Sequence, residues 1–91
     1  MKTEGNYSNG QPVKEQKGDI LTYYHLDGKI KAQGKNIDGL FQGKWVFYKK
    51  AGTLWNIGHF KDNEKHGQWI RYKDDGSIEK EETFEKGKKV K

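Results

Sequence analysis

Ninety-one residues, 34% charged and only 31% hydrophobic, can bury only a thin core, so the chain is limited to one small domain. The absence of cysteine excludes disulfides and thiolate metal sites, and no apolar run is long enough for a membrane span or a signal-peptide core. The formal charge of +5 is local: residues 43–66 hold five lysines against Asp62 and Glu64, whereas 67–90 balance six bases with six acids, which weakens any reading in which the whole surface tracks a polyanion. The expected compartment is the cytoplasm, or outside the cell if a leader has been removed.

Residues 1–18 read as an N-terminal arm or degenerate half repeat, because Gly5-Asn6-Tyr7-Ser8-Asn9-Gly10 matches the pattern of Gly58-His59-Phe60-Lys61-Asp62-Asn63. Pro12 cannot donate to a ladder and marks an edge strand or a loop. From residue 19 onward the chain repeats. Tyr24, Tyr48 and Tyr72 are spaced by 72 − 48 = 24 and 48 − 24 = 24, and Gly28, Gly52 and Gly76 keep the same step, which defines units 19–42, 43–66 and 67–91.

Each unit predicts two strands. The first spans 20–25, 44–49 and 68–73 and is rich in aromatic and β-branched residues. A three-residue loop follows at Leu26-Asp27-Gly28, Lys50-Ala51-Gly52 and Asp74-Asp75-Gly76, where glycine supplies positive φ. The second strand spans 29–37, 53–61 and 77–85 and ends in the turn pairs Asp38-Gly39, Asp62-Asn63 and Lys86-Gly87. The fold class expected is all-β: an antiparallel meander of tandem β-hairpins forming a single curled sheet.

Counting back from three-residue loops sets Tyr48 opposite Leu54, Val46 opposite Asn56 and Trp45 opposite Ile57. One face then carries Tyr24, Tyr48 and Tyr72 with Ile30, Leu54 and Ile78, and places Gly34 and Gly58 beneath the tyrosine column; with the loop glycines Gly28, Gly52 and Gly76, this is the expected structural core. The other face is apolar only in places. At Trp55 and Ile57 the sibling units have Lys31 and Glu79, and Gln33 and Glu81, so the hairpin folds without an apolar residue there, and at Phe47 they have Tyr23 and Arg71, so one sibling tolerates a charge. Phe47, Trp55 and Ile57, flanked by Trp45 and Trp69 and rimmed by lysines, are therefore the candidate contact for a protein partner or a second copy of the chain.

Chemistry is hard to find. His25, His59 and His66 lack the carboxylate and histidine company that a metal needs, Asp74-Asp75 is turn chemistry, and Glu81-Glu82 lie on a strand where neighbours alternate faces. No nucleophile motif occurs. The chain is expected to be non-enzymatic, with no cofactor and no metal. The rival reading is single-stranded nucleic-acid or anionic-lipid binding through the basic, aromatic central unit Gly43-Lys44-Trp45-Val46-Phe47-Tyr48.

The pattern Gly-x-Phe-x-Asp, a turn, then Gly-x-Trp-x-x-Tyr-x-x-x-Gly is carried by Gly58, Phe60, Asp62, Gly67, Trp69, Tyr72 and Gly76. One unit earlier it is carried by Gly34, Gly43, Trp45, Tyr48 and Gly52. Over residues 19–91 the chain resembles MORN-repeat variant proteins of the bacterial YwqK-like group, often labelled antitoxins. It has Gly-x-Trp where ordinary MORN repeats have Gly-x-Gly, so the phospholipid binding suggested for some of those is not carried over. The resemblance implies a β-hairpin array used for protein association, with neutralisation of a partner as one version of that role.

Overall fold

The computed structural model describes residues 6–8 and 11–90, with side chains from residue 13 onward. It contains ten strands: β1 Asn6–Ser8, β2 Gln11–Lys17, β3 Ile20–Tyr24, β4 Ile30–Ile37, β5 Leu40–Tyr48, β6 Leu54–Lys61, β7 Glu64–Lys65, β8 Gly67–Tyr72, β9 Ile78–Glu85 and β10 Lys88–Lys89. They form one open antiparallel sheet in the order β1-β2-β3-β4-β5-β6-β8-β9-β10, with β7 paired to β6. The all-β meander is as expected, and no helix occurs among the described residues. Pro12 marks neither an edge strand nor a loop: it lies in β2, between β1 and β3, opposite Tyr7 of β1 and outside the stretch Lys14–Lys17 that pairs with β3, so its missing N–H removes no bond from the β3 ladder. Gly5, Asn9 and Gly10, part of the half-repeat reading of the arm, lie outside the described residues.

Turn chemistry fixes the hairpins. At the three-residue loops the N–H of Gly28, Gly52 and Gly76 donates to the carbonyl three residues back, at 2.8–2.9 Å, and each glycine has φ of +90° to +98°. An L side chain rarely adopts that backbone, which is why glycine recurs there. The opposite ends close with two-residue turns, Asp38-Gly39, Asp62-Asn63 and Lys86-Gly87, in which both residues have positive φ, as the right-handed strand twist demands.

One irregularity next to each three-residue loop decides which face is the core. Tyr48 pairs with Leu54, but the next pair is Phe47 with Asn56, leaving Trp55 as an extra residue in a β-bulge. The same slip leaves Lys31 unpaired between Tyr23–Ala32 and Tyr24–Ile30, and Glu79 between Arg71–Lys80 and Tyr72–Ile78. Beyond the bulge every partner is displaced by one, so Trp45 stands opposite Gly58 and between Gly58 and Gly34, while Val46 stands opposite Ile57. A one-residue displacement transfers the glycines to the tryptophan face.

The core is therefore Leu21, Ala32, Trp45 and Trp69, with Trp45 0% exposed. Its indole lies so close on Gly34 that a Cβ there would overlap the ring, and Trp69 lies on Gly58 in the same way. Each indole N–H also satisfies a strand carbonyl, Lys35 O at 3.0 Å and His59 O at 2.9 Å. Phe41 stacks on Trp45 with centroids 4.2 Å apart, and Phe60 stands edge-on to both tryptophans. Burial of one such ring contributes about 4–6 kcal/mol before the ordering cost is subtracted.

The sequence-based core assignment is thus corrected. Tyr24, Tyr48, Tyr72, Ile30, Leu54 and Ile78 do share one face, but it is the half-covered one: Leu54 and the tyrosines are half-buried, and Ile30 and Ile78 are 36% and 49% exposed. The loop glycines Gly28, Gly52 and Gly76 shape turns and fill no core. The reason is the bulge, which gives the flat glycine surfaces to the tryptophans.

Candidate interaction surface

The bulge that moves the glycines also sets Trp55 apart. A bulged residue has no cross-strand partner and re-aims its side chain, and Trp55 is 42% exposed, the only exposed phenylalanine, tyrosine or tryptophan ring among residues 13–90. It borders a groove of about 660 Å³ on the tryptophan face. Register places Tyr23, Ala32 and Phe47 side by side on neighbouring strands, and these with Trp45 supply its apolar lining. Lys31, Lys49 and Lys50 line it as well. Lys49 reaches Asp74 at 2.6 Å, whereas Lys31 and Lys50 make no ion pair among the described residues. His25 contributes its ring, whose Nε2 lies 3.4 Å from the Tyr48 carbonyl oxygen.

Of the residues singled out from sequence, the structure brings Phe47 and Trp55 together at the lining of one groove. Trp45 and Trp69 are not free to bind. Trp45 is fully buried, and Trp69, 9% exposed, is shielded by Phe84 and by the Lys65 ammonium 4.7 Å above its ring. Both are core, and Trp45 lies beneath the other rings of the groove with no exposed surface to offer a ligand. Ile57 points the other way: it pairs with Val46 and Ile70 on the tyrosine face, a consequence of the same one-residue slip. Tyr23 and Lys31 belong to the groove and were not singled out from sequence. Their signal was available, since both stand at the positions of Phe47 and Trp55 one unit earlier.

The tyrosine face carries one perturbed group. The Tyr24 hydroxyl titrates above the ordinary tyrosine range because it is partly desolvated and donates to Glu15 Oε1 at 3.1 Å. At the far end of the tryptophan face, Glu82 occupies the place held by Gly34 and Gly58 in the earlier hairpins. Lys89 at 3.2 Å and Lys80 at 3.6 Å hold its carboxyl below the usual glutamate range. Among the described residues no group of three histidine, cysteine or acidic side chains is placed to hold a metal ion. No described helix is long and apolar enough to cross a membrane.

The groove can hold an apolar side chain against the rings of Tyr23, Phe47 and Trp55 while Lys31 and Lys50 attract a neighbouring carboxylate. Comparison with known proteins adds no assignment: no family model, no curated protein and no solved structure matches the chain.

Proposed function

We propose that the protein is a non-enzymatic protein-interaction module whose groove at Trp55 receives a polypeptide presenting an apolar side chain beside a carboxylate. The observation that carries this reading is that the bulge holding the tryptophan takes a charged residue in the neighbouring hairpins. Lys31 and Glu79 occupy the same bulge in the neighbouring hairpins, so a large ring left 42% exposed there serves something outside the hairpin. The unpaired lysines set the sign of the partner. The resemblance to MORN-variant repeats points to the same class of role, and antitoxin-like neutralisation of a partner is its most specific version.

A photoreactive residue in place of Lys50 tests the reading in cells. A protein adduct that disappears in Trp55→Lys supports it. An adduct removed by nuclease, or a protein adduct indifferent to Trp55→Lys, overturns it. Retention of the purified protein on single-stranded DNA above about 0.2 M salt would favour the nucleic-acid alternative, because contacts to many phosphates are needed to survive that salt.

A further inference from the structure

We infer that one partner of the groove face is a second copy of this chain, docked face to face about a two-fold axis parallel to the strands and centred over β6. This rests on the interaction-module reading and names its partner. The three bulged residues Lys31, Trp55 and Glu79 lie on β4, β6 and β9, and in the sheet order β4-β5-β6-β8-β9 the outer two are each two strands from the middle one. At about 4.8 Å per strand this is a row of basic, aromatic and acidic groups spaced by about 9.5 Å. Rotation about an axis over β6 brings Trp55 against Trp55 of the second copy and sets Lys31 beneath Glu79 of the second copy, twice by symmetry. Neither Lys31 nor Glu79 has an ion-pair partner among the described residues.

The adjacent row is self-complementary in the same way. Phe47 on β5 and Arg71 on β8 flank β6 at equal distance, so the operation places each guanidinium over a phenyl ring of the other copy. Arg71 Nε is buried with no acceptor within its own chain among the described residues. Lys80, which comes over Ala32 of the second copy, is already engaged by Glu82. The face is broad enough in outline, 46 × 33 Å, to accommodate a standard interface of about 800 Å² per partner. An isologous contact of this kind closes at two copies.

Sedimentation velocity over a concentration series, with the full chain, tests the arrangement. The expected result is a concentration-dependent dimer that Trp55→Lys abolishes without loss of the folded monomer. Lys31→Glu and Glu79→Lys should each weaken the dimer by about tenfold, since each turns two attractions into two repulsions. The double variant Lys31→Glu/Glu79→Lys should return to within about threefold of the parent, a coupling that only residues in contact show. A chain that stays monomeric up to about 1 mM, weaker than specific association, would overturn the dimer. So would a dimer indifferent to Trp55→Lys, or a double variant no better than the singles. A monomeric chain whose groove still cross-links another protein through Trp55 would defeat the dimer alone and leave the interaction-module reading standing.

Discussion

Gly34→Ala tests the packing that defines the core. The added methyl would fall inside the Trp45 indole, which cannot retreat freely: it is fully buried, stacked on Phe41 and bonded through its N–H to Lys35 O at 3.0 Å. Overpacking of this kind costs about 1–3 kcal/mol. Displacing the indole also sacrifices a hydrogen bond of about 0.5–1.5 kcal/mol. Against this, replacing glycine in a strand lowers unfolded-state entropy and returns about 0.4–1 kcal/mol. The net expectation is a loss of about 2–3 kcal/mol, a large part of the roughly 5 kcal/mol that so small a domain holds. In urea unfolding followed by tryptophan fluorescence, the midpoint should fall by about 1–2 M. The control is Gly34→Ala in a Trp45→Leu background, leucine being the residue at the equivalent position 21. There the alanine should be neutral or slightly stabilising. An unchanged or higher midpoint for Gly34→Ala in the parent chain would refute the glycine–tryptophan packing.

Tyr48→Ala should cost clearly less than Trp45→Ala, because Tyr48 is half-buried on the open face while Trp45→Ala should lose about 3–5 kcal/mol; paired denaturation curves decide the order. Gly52→Ala should lose about 1–2 kcal/mol from left-handed backbone strain at φ +98° although its Cβ would meet no neighbour, and a smaller loss would contradict the turn geometry. Because Glu82 has a folded-state pKa below its unfolded value, its ion pairs stabilise the fold above the ordinary glutamate range and are lost as pH falls through the lowered value. Thermal melts between pH 6 and pH 3 should therefore fall less steeply for Glu82→Gln than for the parent. Far-ultraviolet circular dichroism should show a strand spectrum without helical minima.

Much of this architecture was legible because turn residues are local. Glycine at 28, 52 and 76 and the pairs at 38–39, 62–63 and 86–87 fix the hairpin ends, and the strand limits follow from them within a residue or two over most of the meander. The face of the core was not legible from turns alone. Counting inward from a three-residue loop gives Tyr48 opposite Leu54 correctly and then fails at the next residue, because Trp55 is extra. A bulge shifts the phase of the alternation by one residue, and in short strands with apolar residues on both faces that shift does not stand out from the pattern. Two traces of it were present: the glycine that precedes Trp45 and Trp69 by 45 − 34 = 11 and 69 − 58 = 11, and the Lys31, Trp55, Glu79 column, which shares no property a core position would require. Ile57 was assigned to the binding face for the same reason, whereas Phe47 and Trp55 reach the groove because one lies beside the bulge and the other is the bulged residue.

Whether Trp55 serves recognition rather than the core is read from the unfolding free energy of Trp55→Lys, measured at a concentration low enough to keep both proteins monomeric. The expected value lies within about 0.5 kcal/mol of the parent, as for a surface substitution away from any core or cap. A loss of about 2 kcal/mol or more, in the range of removed core burial, would contradict it.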